Sequence, residues 1–405
     1  MRAAGPDRSA QTELDLAIPS ATTDPVRVAL AGLARVTEPG QATVHRAVGT
    51  HGAVAVWETL RTGRAGCGLS RTLAAAAGAR AQGFAPTEDL RRAEACGARL
   101  ICPGDREWPT QRLTWEPEDK LEVSPLWLYV RGPHSLAEVV ERSVAVVGAR
   151  AATPYGVHVA RELACALTDR GWAVVSGGAY GIDIAAHKGA LLSGRTPTVA
   201  VLACGVDVAY PSGNDRDLAC IAVEGLIVSE LPPGSRPTRR HFLVRNRLIA
   251  ALSVGTVVVE AAARSGSLAT VARAATLRRQ VMAVPGPITS AMSVGCHEQI
   301  RGGAICVSSV GQVLEQVGRL GADLDAPVRG PVSVRDGLSE TVNRLLDALP
   351  VRSAIGVLEI ARAAAVTPLV VQQVLPPLLA HGLVERTDEG WRLTPLGTGR
   401  PGPAA

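Results

Sequence analysis

From Ser143 onward the chain alternates short β-branched runs with longer amphipathic stretches, and this rhythm restricts the fold more than any other feature. The runs are Val144 to Val147, Ala173 to Ser176, Thr198 to Leu202, Leu226 to Ser229, Thr256 to Glu260 and Gln280 to Val284. Unbroken Val, Ile and Leu without polar alternation marks strands covered on both faces, and the segments between them are long enough for crossover helices. The spacing predicts an α/β fold, a doubly wound and mostly parallel sheet. Ligands of such sheets sit outside the carboxyl ends of the strands, so the loops after each run are the place to look for function.

The flanks have other rhythms. Residues 1–24 mix Gly, Pro, Asp and Ser without period and are expected to be a disordered tail, as are residues 398–405. Between Pro25 and about Gly104, apolar runs at Val26 to Val36, Val44 to Leu60 and Leu73 to Ala81 predict a small helical domain. Pro103, Pro109, Pro117 and Pro125 punctuate a connector that ends in the extended run Leu126 to Val130, and the sheet domain with this connector is expected over 105–317. Residues 318–337, with Pro327 and Pro331, read as a linker, and 338–397 as a last helical unit.

Hydrophobic residues make up 47% of the chain, enough for real cores. No apolar run approaches the roughly 18 residues of a membrane span, and the first residues carry Arg, Asp and Glu where a signal peptide is apolar. A cytoplasmic protein without a membrane partner is expected. The eight cysteines show no CxxC pair and no His/Cys grouping at ligand spacing, so neither metal nor disulfide is expected and most should be small core residues. Charge is uneven: residues 141–310 hold 17 Lys plus Arg against 11 Asp plus Glu, a net of +6, which leaves −1 for the remainder. An excess of this size is compatible with a polyanionic partner without demanding one.

Four loops at the strand ends stand out. Gly148-Ala-Arg150-Ala-Ala-Thr153-Pro follows the first run; Thr153 is placed to cap a helix whose first amides, with Arg150 beside them, suit an anion. Ser176-Gly177-Gly178-Ala-Tyr180-Gly181 follows the second; its glycines let backbone amides approach a phosphate, and they serve tight strand-to-helix packing equally well. His187 and Lys188 lie in the helix beyond, His187 as a structural histidine, because no carboxylate or nucleophile is placed to partner it. The densest signal follows the fourth run, where Arg236, Arg239, Arg240, Arg245 and Arg247 fall within twelve residues around Phe242 and beside Asn246. Guanidinium groups that neutralise a backbone, next to a ring on which a base stacks, point to nucleic acid. A solvated basic loop with a core Phe is the plainer reading. In the loop from Glu260 to Thr270 after the fifth run, the small hydroxyl and Gly residues Ser265-Gly266-Ser267 before a helix offer another phosphate cradle, and Glu260 is read as an anchor for neighbouring arginines.

Taken together, Gly148-x-Arg150-x-x-Thr153-x-Tyr155-Gly156, Ser176 to His187, Tyr210-Pro211, Phe242-x-x-Arg245-Asn246-Arg247-x-Ile249, Val259-Glu260-Ala261 with Ser265-Gly266-Ser267, and Ala283-Val-Pro285-Gly286 resemble, in order and spacing, the DNA-processing protein A family (DprA/Smf). The resemblance is strong over about 105–310. It implies an extended Rossmann-like fold that binds single-stranded DNA without sequence preference, protects incoming DNA, self-associates as a homodimer and helps load the RecA recombinase in transformation and recombination. It requires no cofactor and no catalytic residue. Carried over by motif, Arg150, Lys188 and Arg245-Asn246-Arg247 lie at or beside the DNA groove; from the strand-end loops, Thr153, Gly177, Gly178, Tyr180, Arg239, Arg240, Phe242, Ser265 and Gly266 are expected to complete it. Tyr180 stands where many relatives have a basic residue, and Leu243 where a Pro is usual. The last unit looks like a winged helix, but its recognition helix has no Lys or Arg, Pro376 and Pro377 should kink or end it, and residues 334–395 hold 6 basic against 7 acidic side chains. A module for protein contact or regulation is expected.

The competing reading is a nucleotide hydrolase resembling the phosphoribohydrolases built on the same scaffold. Those enzymes need PGGxGTxxE at a helix start, and Ser265-Gly-Ser-Leu-Ala-Thr270 has no carboxylate after it. A dinucleotide-dependent dehydrogenase fits less well still, because the glycine fingerprint is incomplete.

Overall fold

Asp24 starts the first helix, α1 (Pro25–Val36), by accepting the Val26 N–H on its side chain at 2.9 Å, with Pro25 at the first helical position. The structure, a computed structural model, describes residues 22–115, 123–319 and 333–399. The expected tails, apart from residues 22–24 and 398–399, and most of the expected linker lie outside the described residues. The run Val44 to Leu60, expected as one stretch, is divided at Gly52, whose φ of +80° no other residue adopts cheaply, into α2 (Ala42–His51) and α3 (Ala53–Arg61). Then come α4 (Arg71–Ala81), α5 (Pro86–Ala95), β1 (Ala98–Ile101), α6 (Thr110–Leu113), β2 (Leu128–Arg131), α7 (Leu136–Val139), β3 (Ser143–Val147), α8 (Pro154–Asp169), β4 (Ala173–Ser176), α9 (Ile182–Ser193) and β5 (Val199–Val201). The first unit ends with α10 (Asp215–Glu224), β6 (Leu226–Ser229), α11 (Arg239–Ala251), β7 (Gly255–Val258), α12 (Ser267–Thr276), β8 (Gln280–Ala283), α13 (Val294–Arg301), β9 (Ile305–Cys306) and α14 (Val310–Val317).

All six expected runs are strands of one nine-stranded sheet, ordered β1-β2-β6-β5-β4-β3-β7-β8-β9. From β6 to β9 every pairing is parallel, and β3, β4, β6 and β7 are buried along their whole length. The chain runs outward from β3 through β4, β5 and β6, then returns to β7 on the other side of β3. That reversal opens a crevice at the carboxyl ends of β3 and β7, the site such sheets offer to ligands.

Two features depart from expectation. The strand Ala98–Ile101 extends the sheet antiparallel to β2, itself antiparallel to β6, so the sheet begins inside the segment expected to be helical. The helical segment is also no separate body: Leu33, Trp57 and Leu60 share one core with Leu202 and Ile227 of the sheet region. Arg35 fixes that layer with a two-pronged bond to Asp89 (2.8 and 2.6 Å) and a third to the Pro233 carbonyl (2.8 Å). Contacts divide the chain into two compact units, with the described residues up to 319 in the first and those from 333 in the second.

The second unit has its own core around Leu345, Ile360, Val371 and Leu378. It consists of α15 (Glu340–Ala348), α16 (Val357–Ala363), α17 (Pro368–Ala380) and a hairpin of β10 (Val384–Thr387) and β11 (Gly390–Leu393), with Ile355 bridged to Trp391. This order is consistent with a winged helix. The two prolines do not end α17, which continues past Pro377 to Ala380. Among the described residues no single helix is long and apolar enough to cross a membrane. Of the cysteines expected mostly in cores, Cys102, Cys204 and Cys296 are buried, and Cys220 and Cys306 are exposed.

Candidate nucleic-acid interface

The crevice is a cleft of about 790 Å³, walled by the loop after β3, the exposed side of α11 and the start of α12. Helix α11 is started by Thr238, whose hydroxyl accepts the His241 N–H at 3.2 Å. Helical periodicity then turns Phe242, Asn246 and Ile249, spaced i, i+4 and i+7, into the cleft. Phe242 packs on Tyr210 with ring centroids 5.7 Å apart at 53°. The Arg150 guanidinium lies 4.9 Å over the Phe242 ring and that of Arg245 lies 5.8 Å away. An aromatic pair faced by cations is a platform for an unpaired base.

The arginines of these loops separate into two populations. Arg150, Arg239 and Arg264 are exposed, line the cleft and have no carboxylate partner among the described residues. Arg240 is exposed outside the lining. Arg245 and Arg247, expected to meet DNA at the groove, are buried instead. Arg245 donates to the Gly177 carbonyl at 2.8 Å and to the Val201 carbonyl, so it forms the cleft floor. Burial brings its pKa down to about 10, with the Asp183 carboxylate opposing the shift. Arg247 donates to both oxygens of buried Glu230, at 2.6 and 2.7 Å. Six residues can be basic in sequence while only some of them are basic at the surface.

Two expected phosphate cradles are occupied by the protein itself. At the start of α8 the Glu260 carboxylate accepts the Thr153 N–H at 2.9 Å and the Thr153 hydroxyl at 2.6 Å. Gly156 makes room for it, since a Cβ there would lie 2.2 Å from Glu260 Oε2. Glu260 thus anchors a helix start and not an arginine, and no outside anion has that place. In the loop after β4, Gly177 meets Arg245 and buried Asp183, and the Gly178 carbonyl accepts the Asn214 amide at 3.0 Å. Burial raises the Asp183 carboxyl, against the pull of Arg245 and the Ala179 and Gly177 amides. His187 is the structural histidine expected: Nδ1 meets Thr198 Oγ1 at 2.8 Å, and burial lowers its pKa to about 3. Tyr180 is exposed against Gly213, and Lys188 pairs with Asp217 at 3.2 Å, so neither lines the cleft.

The third cradle faces the cleft. Ser265, Gly266 and Ser267 line it at the start of α12, where no acidic residue occupies the first turn. Asn246 Nδ2 reaches the Gly266 carbonyl at 3.5 Å and ties this loop to α11.

A family profile described as DNA recombination-mediator protein A matches residues 99–318. A DNA processing protein DprA of Mycobacterium tuberculosis is 43% identical over 382 residues, covering 93% of this chain and 97% of its own length. The chain belongs to the DNA recombination-mediator protein A family. The DNA processing protein DprA of Streptococcus pneumoniae is 41% identical over 202 residues, which is 49% of this chain and 70% of that protein. The X-ray structure of DprA from that organism aligns with a TM-score of 0.60 and 30% identity, over 73% of this chain and 98% of its own. The large mixed sheet described above is therefore the architecture of the DprA family.

Within this family member the cleft gathers Arg150, Arg239, Phe242, Arg245, Asn246, Ser265 and Gly266 from the expected set. It leaves out Thr153, Gly177, Gly178, Tyr180, Lys188, Arg240 and Arg247. Tyr210 and Arg264 line it without having been singled out as site residues. Tyr210 had a signal, as one of only four tyrosines, placed shortly after the run that forms β5.

Proposed function

We propose that this protein binds single-stranded DNA across the carboxyl ends of β3 and β7, without sequence preference, and acts as a recombination mediator in DNA processing. The observation that carries this reading is the Tyr210 and Phe242 pair under Arg150, in a cleft whose exposed cations have no carboxylate partners among the described residues. Bases stack on the rings whatever their identity, and Arg150, Arg239 and Arg264 neutralise phosphates. The open start of α12, with Ser265 and Gly266, accepts one phosphate more. Paired and stacked bases of a duplex cannot reach such a recess, so the single strand is favoured.

In the same reading the protein is cytoplasmic, works as a homodimer, protects incoming DNA and helps load the RecA recombinase onto it in transformation and homologous recombination. It uses no cofactor and no catalytic residue. The nucleotide-hydrolase alternative is disfavoured by the state of its carboxylates. Asp183, the carboxylate of the described cleft lining, is held by Arg245 and backbone amides, and Glu260 is committed to Thr153.

Fluorescence anisotropy with single-stranded and duplex oligonucleotides of several sequences, over a salt series, tests the reading. Three phosphate-neutralising arginines predict a log–log salt slope of about −2 for single strands, at about −0.7 per contact. Equal or stronger binding to duplex, or release of free base from nucleoside monophosphates, would count against it.

A further inference from the structure

Helix α11 has a second working face, turned away from the cleft. His241, Val244 and Arg247, spaced i, i+3 and i+6, lie against the turn between α1 and α2 and against the residue that follows β6. Gly40 in that turn has φ +73°, and a Cβ on it would stand 3.1 Å from Val244 Cγ1 and 3.3 Å from Arg247 Nε. Glu38 Oε2 in the same turn lies 3.6 Å from His241 Nε2. Arg247 and Glu230 are a buried pair, exposed by only 3% and 6%, in which Arg247 Nη2 alone donates to both carboxylate oxygens while Nε and Nη1 are buried without a hydrogen-bond partner among the described residues, and Trp127 holds the Glu230 backbone by donating its indole N–H to the carbonyl at 2.8 Å. The opposite face of the same helix presents Phe242, Asn246 and Ile249 to the cleft.

We propose that Arg247 and Glu230 are positioning residues of the DNA cleft, which never touch the strand and instead fix the rotation and axial place of α11. The inference rests on the reading of the cleft as a single-strand site. Apolar burial is non-directional, so it fixes the rotation and axial place of a helix less sharply than a charge pair does. A buried charge pair resists such a shift, since moving Arg247 Nη2 away from the Glu230 carboxylate leaves two ions in a medium of low dielectric without their partners. The ring of Phe242 lies five residues before Arg247, so the pair sets where the stacking platform stands relative to Tyr210 and Arg150. The turn at residues 37–41 presses on the same face, which makes the N-terminal helical layer part of the binding unit.

The test compares the full chain with an Arg247→Met/Glu230→Met double variant, an apolar replacement of the kind that buried ion pairs tolerate. Two readouts are taken on a single-stranded oligonucleotide carrying 2-aminopurine: the salt dependence of affinity, and the change in probe emission that reports base stacking. The expected result is an affinity loss of about fivefold or more and a reduced emission change, with the salt slope unchanged because the three cleft arginines remain. Wild-type affinity and emission in the folded variant would overturn the inference. A slope reduced by about 0.7 would overturn it differently, by making Arg247 a direct phosphate contact. If the double variant does not fold, Arg247→Lys serves in its place: lysine keeps the charge but its nitrogen stops one bond short of the place of Nη2, and an intermediate loss of emission change at constant slope is expected. Unchanged emission in that variant would likewise refute the proposal. Failure of the wild-type protein to bind any single strand would instead remove the cleft reading on which it rests.

Discussion

Replacing Phe242 by Ala removes the ring that Tyr210 meets at 5.7 Å and Arg150 covers at 4.9 Å, and leaves every charge of the cleft in place. Base–aromatic stacking is worth about 1–3 kcal/mol per base by such truncation. With about 1.4 kcal/mol per factor of ten, single strands should bind about 5- to 150-fold more weakly. The ring is half-buried at the cleft wall, so the stability cost should fall below the roughly 3–5 kcal/mol of a full core truncation. Anisotropy titrations at several salt concentrations separate the possible outcomes. A parallel downward shift of the log–log line is expected for Phe242→Ala and near-wild-type behaviour for Phe242→Tyr, which keeps a stacking face. Affinity within twofold of wild type in a folded Phe242→Ala protein would show that the ring is only part of the core.

Other perturbations follow from the two populations of arginine. Arg150→Ala, at an exposed position, should weaken binding alike for all sequences and flatten the salt slope by about 0.7; an unaltered slope would take Arg150 off the phosphate path. Arg245→Ala should act on the fold, because it strips a buried partner from Asp183 and two carbonyls; denaturant unfolding should show a loss of about 3–5 kcal/mol, and undiminished stability would contradict the placement. His187, held neutral with a pKa near 3 against an ordinary 6.5, contributes stability that is complete above about pH 6.5 and is lost as pH falls toward 3. The decline is on the order of 1 kcal/mol per pH unit, and midpoints measured from pH 7 to 4 should flatten in His187→Asn. Residues 333–399 alone should show no measurable duplex binding at physiological salt, since α17 carries no Lys or Arg; binding there would make this unit a groove reader.

The strands were legible because β-branched runs buried on both faces leave no polar alternation to confuse them, and all six appear within a residue or two of their expected ends. Ala98–Ile101 was not, since four residues after a helical pattern carry no period of their own and become a strand only by pairing with Leu128–Arg131. The merging of the N-terminal helices with the sheet was equally hidden: an apolar helix face looks the same whether its partner is another helix or Leu202 and Ile227. At the site, composition located the arginine run but did not sort it. Sorting requires the period of α11, which sends Arg239, Phe242 and Asn246 toward the cleft and Arg247 toward Glu230. The occupation of the α8 start by Glu260 could not be read at all, because 107 residues separate it from Thr153 and only the adjacency of β3 and β7 brings them together.

Photo-crosslinking of a single-stranded oligonucleotide carrying 5-iododeoxyuridine, with the attached peptides mapped by mass spectrometry, tests whether the strand lies on the Tyr210 and Phe242 pair. Attachment is expected at Phe242 or Tyr210, abolished by excess unlabelled single strand and little affected by excess duplex. Attachment confined to the N-terminal helices or to residues 333–399, with none in the cleft, would contradict it.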